Sequence, residues 1–225
     1  YAPGESFVNS KQRRVPVSLD APVFTLTHAM GFKGVLGGEY NFNRTEASIW
    51  KRFWLPASWG KIDCSVKAGA EWNTVPFPLL ILPEANLSYI TQRETFCLIN
   101  NMEFLNDRFA SMSISYDMNG KLFNRIPLLK NLKWREMFRV RALWGTLTDK
   151  NNPFKSSNPD LFRFPTRDGK FTSFVMDPKV PYVEASVGIY NIFKLLHVEY
   201  VHRFTYRDNP GINKNGIRFM VLMVF

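Results

Sequence analysis

Apolar and polar residues alternate along most of this chain. In KIDCSVKAGAEW, which runs from Lys61 to Trp72, every second residue is apolar, and the residues between them are polar, charged or glycine. Successive side chains of a β-strand point to opposite faces of its sheet. This stretch therefore predicts a strand with one apolar face and one charged face.

The same alternation returns in RFASMSISYDM, VRALWGTL, YVEASVGIY, LLHVEYVHRFTY and IRFMVLMVF, and turn sequences such as Asn119-Gly120 separate these stretches. We predict an all-β chain of about nine antiparallel strands. Their approximate bounds are residues 22–31, 38–54, 60–72, 93–104, 106–118, 133–148, 180–190, 195–207 and 214–225. Residues 1–20 are interpreted as a polar N-terminal segment or loop, and residues 21–225 as the strands of one β-domain.

Two architectures fit this pattern. A soluble β-sandwich buries its apolar faces against each other, whereas an outer-membrane barrel turns them toward lipid. Several predicted strands reach about 11 residues, which is enough to cross a bilayer at a tilt and exceeds the usual five or six. Trp and Tyr concentrate near strand ends, as in the interfacial girdles of a barrel. These residues are Tyr40, Trp54, Trp59, Trp72, Trp134, Trp144, Tyr182, Tyr190 and Tyr206. We therefore predict an antiparallel transmembrane β-barrel of outer-membrane type, whole or part of a larger barrel.

The polar faces of these strands carry charges of both signs, which can pair across the lumen of a barrel. The predicted lumen-facing residues, structural or pore-lining, are Lys61, Asp63, Lys67, Glu71, Arg139, Arg141, Glu184, Glu199 and Arg203. Burying a charge at the bilayer midplane costs about 2–4 kcal/mol, which opposes a one-residue slip of the register. On this prediction Cys64 and Cys97 point to opposite faces and do not pair.

The last strand has apolar residues at every second position and ends on an aromatic residue. Phe219, Val221, Met223 and Phe225 share one of its faces. A terminal aromatic residue preceded by this pattern resembles the assembly signal of bacterial outer-membrane barrels. We therefore predict that these four residues are recognised by the barrel-assembly machinery.

The chain has a formal net charge of +10, which predicts attraction to an anionic partner. Lipid headgroups, lipopolysaccharide and nucleic acid all fit that description. KWREMFRVR, from Lys133 to Arg141, interleaves basic and aromatic residues as a nucleic-acid interface does. Alternation, however, places Arg139 and Arg141 in the charged ladder of a strand, so no nucleic-acid partner is predicted.

Residues suited to catalysis or metal binding are few. The two cysteines match neither a disulfide framework nor a metal site. His197 and His202 point to opposite faces of a regular strand, and Ser186 points away from His202. No phosphate-binding glycine motif is present in the sequence. The sequence therefore predicts no enzyme activity, no cofactor and no metal ion.

Three stretches resemble a known family: VPFPLLILPEANLSY, MEFLNDRFASMSISY and NGKLFNRIPLLKNLKWRE. They are similar to a Bacteroidota outer-membrane family of unknown function, in which a carboxypeptidase-regulatory-like N-terminal domain precedes a C-terminal barrel. The resemblance covers roughly residues 15–225, and its most specific part is Asn119–Glu136. It implies an outer-membrane location and a barrel fold, with this chain as the C-terminal part.

The sequence thus predicts an integral protein of the cell outer membrane, acting in envelope biogenesis or as a partner in a larger outer-membrane complex. The expected partners are outer-membrane lipid, lipopolysaccharide, the assembly machinery, and other outer-membrane proteins or lipoproteins. A pore for small polar or anionic solutes and a soluble basic β-sandwich remain alternatives. Counting strands back from Phe225 predicts Asp149–Lys179 at the extracellular end, and Asn73–Gln92 and Asn119–Leu132 at the periplasmic end.

Overall fold

Eight antiparallel strands form one sheet, in which each strand pairs with its neighbours in chain order. The computed structural model describes residues 1–9, 11, 13–18, 20–92, 94–156 and 161–221. The predicted all-β, antiparallel architecture is confirmed. Over the described residues the sheet is open, because its two edge strands do not pair with each other and no closed barrel forms.

The elements have the following bounds. The strands of the sheet are β3 (Val23–Gly31), β4 (Phe42–Trp54), β5 (Lys61–Glu71), β6 (Arg108–Asp117), β7 (Arg135–Thr146), β10 (Tyr182–Ile192), β11 (Leu196–Arg203) and β12 (Asn215–Val221). Two hairpins lie outside the sheet: β1 (Phe7–Asn9) with β2 (Arg14–Pro16), and β8 (Thr166–Arg167) with β9 (Lys170–Phe171). The helix α1 comprises Pro127–Leu132, and its first residue is a proline, which has no N–H to leave unpaired there.

The predicted strand at residues 93–104 is wrong. The described residues of this stretch belong to the connection between β5 and β6. Phe96, Cys97, Leu98 and Ile99 are consecutive and all buried. A strand with one solvated face exposes every second side chain, so this run is incompatible with the alternation of its neighbours.

The sheet has two chemically distinct faces, which we call the outer face and the inner face. Residues directly opposite each other on neighbouring strands share a face. One row of the outer face consists of Phe53, Ile62, Tyr116, Phe138, Val187, Tyr200 and Ile217. One row of the inner face consists of Trp50, Ser65, Ser113, Arg141, Glu184 and Arg203. The predicted division into an apolar and a charged face therefore holds across the sheet.

The connection between β5 and β6, residues 72–107, folds over the inner face, and we call it the infolded segment. It supplies half of the buried apolar residues in the part of the chain that the structure describes. Phe96, Ile99 and Phe104 pack with Leu143 of β7 and Tyr182 of β10. Phe104 and Tyr182 meet edge to face at 5.9 Å between ring centroids. Among the described residues, this cluster therefore lies between the sheet and its own connection, on the inner-face side.

The connections differ in length between the two ends of the sheet. Residues 32–41, 72–107, 147–181 and 204–214 lie at one end, which we call the long-loop end. Residues 55–60, 118–134 and 193–195 lie at the other, the short-turn end. At Gly60 φ is positive and an added Cβ would overlap the Asp117 carbonyl oxygen, so only glycine fits this turn.

This arrangement corrects one topological prediction. Because residues 93–104 form no strand, Asn73–Gln92 lies at the same end of the sheet as Asp149–Lys179, and not at the opposite end. The two contact each other directly, since the Val75 N–H donates to the Asn151 Oδ1 at 2.8 Å. The two longest connections, residues 72–107 and 147–181, therefore leave the sheet at the same end.

The two edges of the sheet are exposed to different degrees. Along β12, the Phe219 N–H donates to the Tyr89 carbonyl at 2.7 Å, and the Thr91 N–H donates to the Phe219 carbonyl at 2.6 Å. Along β3, Tyr1 and Phe24 exchange both of their backbone hydrogen bonds, at 2.8 and 2.9 Å. Alternation then turns the backbone groups of Leu26 away from β4, and they have no partner among the described residues.

The two ends of the chain are described only in part. Phe219 and Val221 lie on the outer face of β12, whereas Met223 and Phe225 lie outside the described residues. Residues 1–20 contain the β1–β2 hairpin, a short element that the sequence pattern did not predict. In the part of the chain that the structure describes, no helix is both long enough and apolar enough to cross a membrane.

Candidate functional site

The nine predicted lumen residues all lie on the inner face, although their role stays a prediction. They fall into two groups. Arg139, Arg141, Glu184, Glu199 and Arg203 are buried beneath the infolded segment. The other four are on β5. Of these, Glu71 is buried, and Lys61, Asp63 and Lys67 are partly buried.

Glu184 is the centre of the buried group. Its carboxylate is fully buried and accepts hydrogen bonds from the backbone N–H groups of Cys97 and Leu98, at 2.8 and 3.1 Å. It also accepts from the Arg141 Nη1 and from the Tyr182 hydroxyl, both at 2.9 Å. One side chain of the sheet thus holds two consecutive amides of the infolded segment.

Arg203 forms the second attachment of the infolded segment. Its guanidinium donates to the Glu103 carboxylate at 2.6 and 3.0 Å and to the Leu98 carbonyl at 3.1 Å. It also donates to the carbonyls of Thr205 and Tyr206 beyond β11. Arg203 therefore connects the infolded segment to the connection that follows β11.

Glu199 forms the third buried pair, at the middle of β11. Its carboxylate accepts from the Arg139 Nη1 at 3.1 Å and from the Ser186 hydroxyl. The His197 Nε2 lies 3.5 Å away. The Ser186 hydroxyl thus donates to a carboxylate and not to a histidine, so the pair that an acyl-transfer nucleophile needs is not formed here.

The remaining predicted residues each form an ion pair, three of them with a residue of the sheet and one with the infolded segment. Asp63 binds Arg52 through two hydrogen bonds, at 2.6 and 2.8 Å. The other pairs are Lys61 with Asp117, Lys67 with Glu84, and Glu71 with Arg44. The Lys67 pair is a further link to the infolded segment, because Glu84 belongs to it.

Burial of so many charges has a clear physical requirement. Removing an ion from water costs several kcal/mol, and a close partner with additional hydrogen bonds must offset that cost. Each buried carboxylate at the centre of the face meets a guanidinium, so the charges cancel pairwise. The cluster therefore fixes where the infolded segment rests on the sheet.

Cys97 lies at the contact between the infolded segment and this cluster. Its Sγ accepts from the Arg141 Nη1 at 3.4 Å, its N–H binds Glu184, and its carbonyl accepts from Arg218. Burial raises the pKa of the Cys97 thiol above its ordinary value. Both cysteines are free, as predicted, and Cys64 lies on the outer face beside Ile114, whereas Cys97 belongs to the infolded segment and to no strand.

A cavity of about 60 Å³ remains between the infolded segment and the sheet. Its lining includes Lys67, Glu84, Phe96, Ser113 and Arg141. The Arg141 Nε and Nη2 have no hydrogen-bond partner among the described residues. Within those residues no group of three His, Cys, Asp or Glu side chains is placed to hold a metal ion.

The sequence-based prediction of the site does not include Glu103. It places this residue in the strand predicted at residues 93–104, which the structure does not contain among its described residues. A signal for it was present in the charge balance. The buried group contains three predicted cations, Arg139, Arg141 and Arg203, but only two predicted anions, Glu184 and Glu199. Because an unpaired buried guanidinium is costly, a third carboxylate was needed from elsewhere, and Glu103 supplies it.

Comparison with known proteins gives one match. The model of the family described as "Family of unknown function (DUF5686) C-terminal domain" matches residues 1–154. The matched region contains the infolded segment and strands β3 to β7, which include Arg139 and Arg141, but not β10 and β11, which carry Glu184, Glu199 and Arg203. No curated protein and no solved structure matches the chain.

Proposed function

This chain belongs to the family of unknown function DUF5686, as its C-terminal domain, and from that premise we propose that it is an integral outer-membrane β-barrel protein. Its role is structural: it is a scaffold in envelope biogenesis or within a larger outer-membrane complex. The Bacteroidota origin and the carboxypeptidase-regulatory-like domain implied by the resemblance belong to the same proposal. The partners are outer-membrane lipid and lipopolysaccharide, the assembly machinery, and other envelope proteins.

The exposed apolar outer face carries this proposal. Large apolar side chains are exposed to solvent on this face in every strand of the sheet except β6. They include Phe24, Leu26, Ile49, Phe53, Val66, Phe138, Val140, Trp144, Val187, Tyr200, Ile217, Phe219 and Val221. Soluble monomers rarely expose apolar patches larger than a few hundred Å². If the outer face contacts lipid, its apolar side chains are not exposed to water.

Strand length and the placement of charge agree with a membrane setting. β4, β5, β7 and β10 have 13, 11, 12 and 11 residues, which meets the roughly 9–11 that a tilted strand needs to cross a bilayer. The ion pairs made by residues of the strands lie on the inner face, whereas the exposed Lys155–Asp149 pair belongs to a connection. Lys51 is a charged residue of the outer face, and its ammonium donates to the Asp20 carbonyl beyond the start of β3 at 2.7 Å.

A bilayer also requires the sheet to be closed. Unpaired backbone groups cost several kcal/mol each in hydrocarbon, so spanning sheets have no free edge. β3 has unpaired backbone groups at Leu26, and its short pairing with Tyr1 stops at Phe24. We therefore include in the proposal that the eight strands are part of a larger barrel, in which a further strand pairs with β3.

The infolded segment favours a scaffold over a pore. It covers the centre of the inner face, and three buried ion pairs occupy the position that a conducting path would need. A solute-selective pore instead lines its lumen with charged side chains that face water. The Arg141 and Arg203 guanidinium groups are almost completely inaccessible, so they serve attachment of the segment.

The test uses the native full-length protein in purified envelopes. The membranes are washed with alkaline carbonate, and unheated and boiled samples are compared by electrophoresis in SDS. Retention in the membrane pellet together with a heat-dependent mobility shift is the expected result. Release into the supernatant without a shift would mean that the outer face is covered by protein, as in a soluble sandwich, and would overturn the proposal.

A further inference from the structure

The short-turn end of the sheet is one continuous surface built from its three connections. The Lys121 ammonium donates to the Ala57 carbonyl at 3.0 Å and lies 5.1 Å from the centre of the Trp59 ring. The Asn191 side chain donates to the Lys133 carbonyl at 2.7 Å. These contacts join residues 55–60, 118–134 and 193–195 into one surface, which includes α1.

This surface is positively charged. Its cations are Lys121, Arg125, Lys130, Lys133 and Lys194, and residues 118–134 contain no Asp or Glu. None of the five has a salt-bridge partner among the described residues. The nearest carboxylates are engaged internally: Asp117 binds Lys61 and Tyr190, and Glu136 is buried and accepts from the Leu122 N–H at 2.6 Å.

The same surface also carries apolar side chains, and these side chains are exposed. Leu128 of α1 is 82% exposed and Phe193 is 85% exposed. Leu122, Ile126 and Leu132 are exposed as well. Burying a leucine or phenylalanine side chain is worth about 1.5–3 kcal/mol, so this surface gains from an apolar partner that also carries negative charge.

We propose that the short-turn end binds the anionic headgroup layer of a phospholipid bilayer. The leucines and Phe193 enter the boundary between headgroups and acyl chains, while the five cations contact phosphate groups. Trp54 and Trp59, both exposed, lie at the same level of the sheet, where interfacial aromatic residues belong. This inference rests on the proposed function and adds which lipid chemistry one end of the sheet recognises.

The long-loop end does not offer the same combination. One of its two longest connections, residues 147–181, mixes cations with Asp149, Asp160, Asp168 and Asp177. At least one of these forms an exposed pair, with 3.1 Å between the Lys155 Nζ and the Asp149 Oδ1. The two ends therefore differ in charge pattern, which makes the long-loop end a suitable control.

The experiment uses the full-length protein, reconstituted in vesicles of phosphatidylcholine with increasing phosphatidylglycerol. Lipid selectivity is measured from quenching of tryptophan fluorescence by brominated phosphatidylglycerol relative to brominated phosphatidylcholine. The test variant replaces the five cations of the short-turn end by Gln. The control variant replaces Lys150, Lys155, Lys170, Lys179 and Lys214 by Gln, which removes equal charge at the other end.

We expect the wild type and the control variant to prefer phosphatidylglycerol, and the test variant to lose about three- to tenfold of that preference. Equal selectivity in the test and control variants would overturn the inference, as would a wild type without preference. The heat-dependent mobility shift is recorded on the same samples, so failure to insert is recognised separately. In that event, flotation with phosphatidylglycerol vesicles still decides whether the short-turn end binds anionic lipid.

Discussion

The attachment of the infolded segment through Glu184 can be tested by a single substitution, Glu184→Gln. The change keeps the size of the side chain but removes the charge that pairs with Arg141 and accepts from the amides of Cys97 and Leu98. Removing one partner of a buried ion pair costs about 3–5 kcal/mol. These contacts join the infolded segment to the sheet. The substitution should therefore lower the free energy that is needed to open this segment locally.

Cys97 provides the assay, because it lies at this attachment and only 1% of its surface is exposed. In a Cys64→Ser background it is the only thiol, since the chain has two cysteines. Its alkylation rate then reports the equilibrium between closed and open segment. A cost of 3–5 kcal/mol predicts that Glu184→Gln accelerates alkylation by about two to three and a half powers of ten.

The matched control is Asp149→Asn, which breaks the exposed pair with Lys155. That pair is worth about 0–1 kcal/mol, so the rate should change less than about fivefold. Adding Arg141→Gln to Glu184→Gln should cost less than the sum of the two single changes, because each single change leaves one buried charge unpaired. Alkylation of Glu184→Gln at the control rate would refute the role of this cluster.

Three further predictions follow from the same geometry. Arg203→Leu leaves the buried Glu103 carboxylate without its guanidinium, so denaturant titration should give a free energy of unfolding lower by about 3–5 kcal/mol, and a change below about 1 kcal/mol would contradict the pairing. Val187→Lys should cost about 2–4 kcal/mol in lipid vesicles, whereas a solvated outer face would tolerate it within about 0.5 kcal/mol. Cys64 should react with a lipid-soluble maleimide and resist a charged one in membranes, and rapid reaction with the charged reagent would place it in water.

Alternation predicted the sheet well, because its strands separate an apolar from a charged environment. The predicted strand at 60–72 corresponds to Lys61–Glu71, and that at 106–118 to Arg108–Asp117. The nine predicted polar residues share the inner face for the same reason. Alternation of apolar and polar residues is strong evidence for a strand wherever the two faces of its sheet have different surroundings.

Other parts of the structure could not be derived from that period. Residues 96–99 and 103–104 are buried between the sheet and the loops, so the apolar side chains there follow packing and not alternation. The β8–β9 hairpin has two-residue strands around Asp168-Gly169, too short for a pattern beyond the turn itself. The partner of Arg203 lies far away in sequence, and only the missing negative charge pointed to it.

Contact between the outer face and lipid can be measured by single-cysteine scanning along one strand. In a background without Cys64 and Cys97, an environment-sensitive fluorophore is placed in turn at Ala185, Ser186 and Val187 of β10, in the full-length protein in vesicles with quenchers on the lipid acyl chains. If the outer face contacts lipid, quenching is strong at Ala185 and Val187 and weak at Ser186. Equal quenching at all three positions, or none at the two outer ones, would contradict it.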